Sequence, residues 1–449
     1  MKSTNPWRYG TEHTPNPSFG EVKMADLSAL EENKKWFQQA RFGMFIHWGL
    51  YALGARHEWL KNHEEMTDEK YQRYVDLFNP DLYEPEKWAD AAADAGMNYF
   101  VITTKHHEGF CLWDSQYTDY KAPNTPCGKD LLTPMVEAFR SRGLKVGFYY
   151  SLIDWHHPDF TIDMRHSQRN HPDRDKLNKG RDIRKYAEYM RNQVTELLTG
   201  FGRIDIMWFD FSYPGPDGKG RDDWESEKLL ELVKSKQPHI MVNNRLDLPG
   251  NGDFVTPEQF QPPAGLTDDD GNPAVWEACQ TFSGSWGYHR DETNWKSVET
   301  LLWMLIDSVS KGGNMLLNVG PTARGKFDYR AMDRLQGIGE WMRYNSRSIY
   351  GCGASEFTPP PNCTYTQNGD RLYLHIFSWP FKKLYLPGLA HKIRYAQFLH
   401  DNSEIFFLEE DTKSTHSNLH CPVPENSAAI ELPAQKPPVK IPVVELILK

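Results

Sequence analysis

The chain has 449 residues, a formal net charge of -10 and a pI near 5.9, and 13% of its residues are aromatic. This length predicts one large and one smaller domain. The acidic charge argues against nucleic acid or an anionic membrane as a partner, so we expect a neutral one. Aromatic rings stack on sugar faces as readily as they fill cores, which makes a carbohydrate compatible with this composition.

The cysteines and the amino terminus restrict the class of protein further. Six cysteines lie far apart, without a C-x-x-C or a clustered Cys/His pattern, and most are expected to be buried thiols, although Cys352 and Cys363 could pair. Residues 1–20 are polar and Pro-rich, and no stretch of the chain predicts a membrane span. The compartment is open: periplasmic or secreted is favoured if a signal peptide has been removed, and cytoplasmic otherwise.

Apolar strand-like runs alternate with helical stretches over more than 300 residues. The predicted strands are 42–47, 99–104, 145–150, 203–210, 239–243, 276–279 and 314–318. The predicted helices are 28–40, 85–96, 132–142, 181–200, 224–236, 298–310 and 329–344. This alternation predicts an α/β catalytic domain over residues 1–348 that is a (β/α)8-like (TIM) barrel, the alternative being an open doubly wound sheet.

The pattern changes after about residue 348. Helical periodicity disappears, Pro becomes frequent, and short alternating runs such as 371–377 and 443–448 follow one another. Such runs are typical of half-buried strands in antiparallel sheets. We therefore predict a C-terminal antiparallel β-sandwich over residues 349–449.

Polar side chains follow several of the predicted strands. Asp210 ends the apolar run 203–210, where a carboxylate can face a cleft and stay hydrated, although a helix N-cap or a turn is the plainer interpretation. Strand ends of a barrel converge on the face where barrel enzymes bind substrates. The residues expected there are His47, His106, His107, Tyr150, Asn244 and Arg245, with Glu58, Glu258, Glu277 and Trp286 on the loops.

Three kinds of chemistry could use this set. A metal site of His47, His106 and His107 is disfavoured, because no H-x-H or H-E-x-x-H occurs and adjacent strand residues point to opposite faces. A serine or cysteine nucleophile lacks the G-x-S-x-G turn. Glycoside hydrolysis needs one ionised carboxylate and one that holds a proton. Asp210 suits the first role, and Glu258 and Glu277 are candidates for the second.

Several longer motifs follow one another along the chain in an order that is specific to one enzyme family. They are His47-Trp48-Gly49 within 41–51, Glu58-Trp59, 105–115, 147–151 with Asp154-Trp155, Met207 to Asp210, 285–288 and 311–318. Over roughly residues 30 to 345 these motifs resemble those of family 29 glycoside hydrolases, the retaining α-L-fucosidases. The resemblance implies Asp210 as the nucleophile and no metal or organic cofactor. It also implies a sugar pocket lined by His47, Glu58, Trp59, His106, His107, Tyr150, Trp208 and Arg245, with Trp rings such as that of Trp286 against the sugar's carbon face.

The second carboxylate is open, because its place in the chain varies within the resembling family. Glu258 is favoured, since it follows a Thr-Pro pair on a segment expected to lie over the pocket. Glu277 stands between Trp276 and Cys279 and is the alternative, or else a strand residue that orients others. Phe211 follows Asp210 where the family commonly has a smaller residue, which concerns the choice of sugar.

The functional hypothesis is a retaining exo-α-L-fucosidase that acts on an oligosaccharide or glycan substrate. One alternative is an exo-α-L-galactosidase, because L-galactose is L-fucose with a hydroxyl on C6 and a pocket for a methyl group does not strongly reject an added hydroxyl. A second alternative is a non-catalytic carbohydrate-binding barrel. Linkage preference and oligomeric state are not predicted.

Overall fold

The structure is a computed structural model that describes residues 24–250, 252–410 and 423–449, so the polar leader 1–20 and Cys421 lie outside the described residues. Its centre is a seven-stranded parallel half-barrel sheet. The strands are β1 (Phe42–Ile46), β2 (Tyr99–Lys105), β3 (Lys145–Ser151), β4 (Ile206–Asp210), β5 (Met241–Val242), β6 (Glu277–Thr281) and β7 (Asn314–Val319). Their order across the sheet is β5-β4-β3-β2-β1-β7-β6. The predicted parallel α/β architecture is confirmed.

Helices connect successive strands. The longer ones are Met24–Ala40, Asp68–Leu77, Pro85–Asp94, Leu132–Ser141, Ile183–Gly200, Ser226–Lys236, Val298–Ser310 and Tyr329–Asn345. Short ones are Tyr51–Gly54, Leu60–His63, Arg174–Leu177 and Arg221–Trp224, with 3-10 turns at Ala122–Asn124 and Ser346–Ser348. Several begin at sequence-encoded caps: Ser297, for example, accepts a hydrogen bond from Thr300 N at 3.1 Å.

The two faces of the sheet have different partners. On one face Phe45, Tyr149, Trp208 and other alternate residues form an inner cluster that packs against the helix Met24–Ala40. Their chain neighbours, such as Phe148, join the larger core with the connecting helices. Successive strand residues point to opposite faces, so a shift of one residue decides whether a side chain is inside or outside.

The helix Met24–Ala40 covers the amino ends of the strands. The Asn33 side chain donates to Asp205 O at 2.9 Å, and the Asn314 side chain donates to Phe37 O at 2.8 Å. The interior is therefore blocked at this end. The carboxyl ends of the strands, where Asp210 lies, are left to form a site.

A segment at residues 254–258 lies between β5 and β6. Single parallel bridges join Asn243 to Phe254 on one side, and Val255 to Trp276 and Glu258 to Cys279 on the other. Residues 254–258 thus form extended chain that contacts both edges of the sheet.

The carboxyl-terminal region forms two antiparallel sheets. Its strands are β8 (Cys363–Asn368), β9 (Arg371–Ile376), β10 (Lys383–Leu386), β11 (Ile393–Phe398), β12 (Phe407–Leu408), β13 (Ala428–Glu431) and β14 (Val443–Leu448). They are ordered β10-β13-β12 and β11-β14-β9-β8. A separate apolar cluster takes residues from both sheets, such as Ile430 from the first and Leu446 from the second.

Two further predictions can be compared with the described residues. No helix among them is long and apolar enough to cross a membrane. The five cysteines they contain are free thiols, so the possible pairing of Cys352 with Cys363 is wrong.

Candidate active site

A cavity that is partly open to solvent lies at the carboxyl ends of the parallel strands. Ten of the thirteen predicted site residues line it, together with four that were not predicted, whereas Asn244 lies outside the lining and its Oδ1 accepts from Thr256 N at 3.2 Å. The predicted ones are His47, Glu58, Trp59, His106, His107, Trp208, Asp210, Arg245, Glu258 and Trp286. The others are Phe45, Tyr149, Phe211 and Cys279.

Asp210 is the carboxylate at the end of β4. Its side chain is only 12% exposed, and each oxygen has a donor: Tyr149 OH lies 2.8 Å from Oδ2, and Arg245 Nη1 lies 2.7 Å from Oδ1. The nearby charge of Asp210 also helps to raise the pKa of Tyr149, after the larger effect of burial. Tyr149 therefore remains a neutral donor, and the two hydrogen bonds hold the Asp210 side chain in one orientation.

Arg245 joins two walls of the pocket. Its Nη1 binds Asp210, and its Nη2 lies 2.7 Å from Glu258 Oε2. Its Nε donates to Thr256 Oγ1 at 3.0 Å, and its guanidinium stacks 4.4 Å above the centre of the Trp208 ring. Despite burial, the two carboxylates keep the pKa of Arg245 above its usual value. One fixed cation thus places two acidic groups at the same cavity.

Glu258 differs from Asp210 in its access to solvent. It lies on the segment 254–258, and its side chain is 40% exposed, compared with 12% for Asp210. A single bridge to Cys279 joins this residue to the sheet among the residues that the structure describes. A group that must exchange protons with water and with a departing alcohol needs such access.

Three imidazoles line one side of the cavity. His47 Nδ1 lies 2.6 Å from Asn318 Oδ1, and His107 Nδ1 lies 2.6 Å from Ser151 Oγ. Burial holds the pKa of His47 and of His107 well below the usual value, with a further contribution from neighbouring His106. These two rings are therefore neutral at neutral pH.

Aromatic rings complete the walls. Trp59 packs edge to face on His107 at 4.8 Å between ring centres and contacts Phe211 at 5.1 Å. On the other side Trp286 lies 5.1 Å from His47. Such rings offer apolar surface to the carbon face of a sugar, while the imidazoles address its hydroxyls.

Phe211 has an unusual backbone conformation. Directly after Asp210 it adopts a φ of 74°, which is uncommon for a bulky residue. Its ring reaches the pocket and contacts His107 at 5.2 Å and Tyr213 at 5.6 Å. The chain therefore turns sharply at the end of β4 and places a large ring beside the carboxylate.

The prediction that Tyr150 lines the pocket is wrong. Tyr150 faces the connecting helices, where its hydroxyl donates to Gln193 Oε1 at 2.7 Å and its ring lies under the Lys105 ammonium. β3 continues to Ser151, and it is the alternate residue Tyr149 that points inward. The strand was located correctly, but the inward parity was assigned one residue too late.

Glu277 does not line the pocket either. It is fully buried at the start of β6, and the Tyr99 hydroxyl donates to its Oε2. Burial raises the pKa of Glu277 to about 7, and the Tyr99 bond only partly offsets this effect. Gly43 makes room for the Tyr99 ring, because a Cβ there would lie 2.3 Å from it. The structure thus offers no support for Glu277 as the group that meets the substrate.

The residues that sequence reasoning missed fall into two groups. Phe45, Tyr149 and Cys279 are inward-facing strand residues, and correct parity along β1, β3 and β6 would have identified them. Burial raises the pKa of Cys279, which keeps it a neutral thiol. Asn318 lies on β7 outside the pocket lining, and its amide binds the pocket residue His47. No sequence signal marks such a partner, because it lies 271 residues away.

The histidines of the pocket do not form a metal site in this structure. Among the residues that the structure describes, no group of three or more His, Cys, Asp or Glu side chains could hold a metal ion. Two of these imidazoles, His47 and His107, are instead held by Asn318 and Ser151.

Comparisons with known proteins agree with this geometry. Residues 12–347 match the family model described as Alpha-L-fucosidase. Human plasma alpha-L-fucosidase is 31% identical over 379 residues, covering 77% of this chain and 76% of the relative. Alpha-L-fucosidase isoenzyme 1 from Paenibacillus thiaminolyticus is 43% identical with a TM-score of 0.87, covering 94% of this chain and 100% of that one.

A further solved relative bears on the reaction. The alpha-L-fucosidase GH29 from Bacteroides thetaiotaomicron, solved as a trapped covalent intermediate with 2-fluoro-fucosyl fluoride, has a TM-score of 0.79 and 27% identity. It covers 96% of this chain and 98% of that chain. With the pocket above and the family match over most of its length, this chain belongs to the α-L-fucosidase family, glycoside hydrolase family 29.

Proposed function

We propose that this α-L-fucosidase removes terminal α-L-fucosyl residues from glycans by double displacement, with Asp210 as the nucleophile and Glu258 as the acid/base. Family membership makes the protein a retaining glycoside hydrolase. The observation that carries the residue assignment is the Arg245 bridge, which binds Asp210 at 2.7 Å and Glu258 at 2.7 Å. Retention requires two carboxyl groups about 5 to 5.5 Å apart, and one guanidinium between them favours such a separation.

In the first step an Asp210 oxygen attacks the anomeric carbon. The bond between that carbon and the glycosidic oxygen breaks, and Glu258 gives its proton to the departing oxygen. Tyr149 and Arg245 hold Asp210 in place, so little reorganisation precedes the attack. Arg245 remains paired with Asp210 when Glu258 carries the proton.

In the second step water attacks the same carbon. Glu258, now a carboxylate, takes a proton from the water, and the bond to Asp210 breaks to release the sugar. Two displacements at one carbon retain its configuration. The greater exposure of Glu258 lets water reach it after the aglycone has left.

The shape of the cavity favours a terminal sugar. Phe45, Trp208 and Cys279 border it from the interior of the sheet, and the helix Met24–Ala40 closes the opposite end of that interior. A cavity that is closed at this end takes a terminal sugar unit and leaves no path for a glycan chain to continue beyond it. The protein therefore acts on chain ends.

We also propose the finer architecture. The bridges from residues 254–258 to both edges of the parallel sheet support its closure into a (β/α)8-like barrel. The apolar cluster shared by the two antiparallel sheets supports a β-sandwich. A boundary near residue 348 between domains 1–348 and 349–449 follows from the start of this second core.

Hydrolysis of p-nitrophenyl α-L-fucoside, followed by NMR, tests the proposed function. We expect α-L-fucose as the first-formed anomer and a higher kcat/KM than for the α-L-galactoside. The α-L-galactosidase and non-catalytic alternatives are not favoured, because the named relatives are α-L-fucosidases and one formed a covalent intermediate. A β-anomer formed first, or no cleavage of either glycoside, would contradict the proposal.

A further inference from the structure

We propose that Asn318 and Ser151 are positioning residues that fix the tautomers of His47 and His107, so that the pocket accepts hydrogen bonds from ligand hydroxyls at both rings. In a neutral imidazole one nitrogen donates and the other accepts, and the partner of the first determines the role of the second. The proposal rests on the proposed function for the identity of the ligand. The tautomers themselves follow from hydrogen bonds inside the protein.

Asn318 determines the tautomer of His47. Its Nδ2 donates to Trp286 O at 2.7 Å, which fixes the orientation of the amide. The amide oxygen therefore faces His47 Nδ1 at 2.6 Å, and an amide oxygen can only accept. His47 Nδ1 must carry the proton, and its Nε2 has a free lone pair.

Ser151 has the same effect on His107. Its Oγ lies 2.9 Å from Ile153 O, and only the serine hydroxyl can supply the proton between these two oxygens. Since that proton is used, Ser151 Oγ accepts from His107 Nδ1 at 2.6 Å. The Nε2 of His107 is then a bare acceptor, and it lies 4.0 Å from Asp210 Oδ2, too far for a direct hydrogen bond.

A third free acceptor belongs to Glu58. Its Oε2 accepts from Gly287 N at 2.8 Å, while its Oε1 is buried without a hydrogen-bond partner among the described residues. His57 Nδ1 lies 3.3 Å from Glu58 Oε1, but that nitrogen already accepts from Trp59 N at 3.1 Å and does not donate. Glu58 lines the same cavity as the two imidazoles.

These three acceptors need donors from the ligand. A sugar hydroxyl supplies one, whereas fluorine, which replaces a hydroxyl at similar size, does not donate. A ligand that leaves one of these buried acceptors without a donor should bind about 10- to 100-fold more weakly. The pocket therefore distinguishes ligands by whether each substituent can donate a hydrogen bond, more than by the shape of that substituent.

The carboxyl-terminal sheets contain an internal control with the opposite tautomer. Thr366 Oγ1 donates to Ser348 O at 2.6 Å and lies 2.9 Å from His375 Nε2. By the same reasoning His375 carries its proton on Nε2, and its Nδ1 has no partner among the described residues. His375 lies outside the pocket, so its tautomer has no bearing on the ligand.

Nitrogen-15 NMR of the unliganded full-length protein tests the tautomers directly, with peaks assigned by single histidine substitutions. We expect protonated Nδ1 in His47 and His107 and protonated Nε2 in His375. Ser151→Ala should change the pattern of His107 alone, and Thr366→Val that of His375 alone. A protonated Nε2 in wild-type His47 or His107 would overturn the proposal.

Inhibition by L-fucose analogues altered at C3 or C4 tests the consequence. We expect the deoxy and the deoxyfluoro analogue at each position to bind about 10- to 100-fold more weakly than L-fucose, with fluorine restoring no affinity. Deoxyfluoro analogues that bind as well as L-fucose at both positions would contradict the proposal. Failure of L-fucose itself to inhibit would count against the proposed function, and the NMR result would still decide the tautomers.

Discussion

Carboxyl groups at the mouth of the pocket and below its floor have opposite electrostatic surroundings. At the mouth, Asp210 and Glu258 share the Arg245 cation. At the floor, Glu277 is fully buried beside the neutral Tyr99 hydroxyl, and burial raises its pKa to about 7. A carboxyl group can serve as a nucleophile only where a cation or solvent keeps it charged. Its position along a strand therefore determines its role.

Among the substitutions at the mouth of the pocket, Asp210→Ala is expected to cause the largest loss of activity. Loss of the nucleophile should lower kcat on p-nitrophenyl α-L-fucoside by on the order of 10⁴-fold or more. Added azide should restore turnover and give the inverted glycosyl azide, because the small anion occupies the vacated space. Unchanged thermal unfolding would show that the fold is intact, and a variant that azide does not rescue would argue against Asp210.

Glu258→Ala tests whether the acid/base is Glu258 at the mouth of the pocket or Glu277 below its floor. Loss of a general acid should slow substrates with poor leaving groups by about 10² to 10⁴-fold and activated aryl glycosides far less. Glu277→Gln is the matched control, and any loss there should be similar for both kinds of substrate. If leaving-group dependence appeared in Glu277→Gln instead, the acid/base would be reassigned to that residue.

Tyr149→Phe and Tyr150→Phe compare the two faces of one strand. The first removes the hydrogen bond to Asp210 and should lower kcat/KM by about 10- to 100-fold, since bonds to charged groups contribute about 1.5–3 kcal/mol. The second removes the bond to Gln193 and should lower the free energy of unfolding by about 1 kcal/mol with kcat/KM unchanged. Steady-state kinetics and chemical unfolding separate them. Equal kinetic losses would contradict the assigned parity.

The pH dependence of stability tests whether Glu277, below the floor of the pocket, is protonated in the folded protein. The folded-state pKa of Glu277 is about 7, above the ordinary value of 4.5, so the folded protein holds a proton that the unfolded chain releases. This contribution is complete below pH 4.5 and is lost as pH rises through 7, at about 1.4 kcal/mol per pH unit in between. Glu277→Gln should remove this dependence from unfolding curves. If the wild type and Glu277→Gln showed the same dependence of stability on pH, the pKa of Glu277 would not be raised in the folded protein.

Much of the fold could be predicted because its signals are local. The helices 298–310 and 329–344 were expected from periodicity and caps, and the structure has Val298–Ser310 and Tyr329–Asn345. The strand at 239–243 was predicted longer than the observed Met241–Val242, because its boundaries depend on what pairs with it.

Less of the site could be predicted from local signals. Ten of the thirteen predicted residues reach the cavity, largely because the resemblance supplied long ordered motifs. Of the three that do not, Tyr150 and Glu277 share a cause. Both lie on correctly located strands, but the face and the depth of a strand residue depend on register with neighbouring strands.

The sequence alone determined the alternation of strands and helices and the placement of Asp210 at the end of an apolar run, because periodicity and turn residues act within a few positions. Only the tertiary structure decided that Tyr149 and not Tyr150 binds Asp210, and that Arg245 joins this residue to Glu258. These contacts connect residues 61 and 35 positions apart in two of the cases. They form because the parallel register of β3, β4 and β5 brings the strand ends to one cavity, a geometry that no single segment encodes.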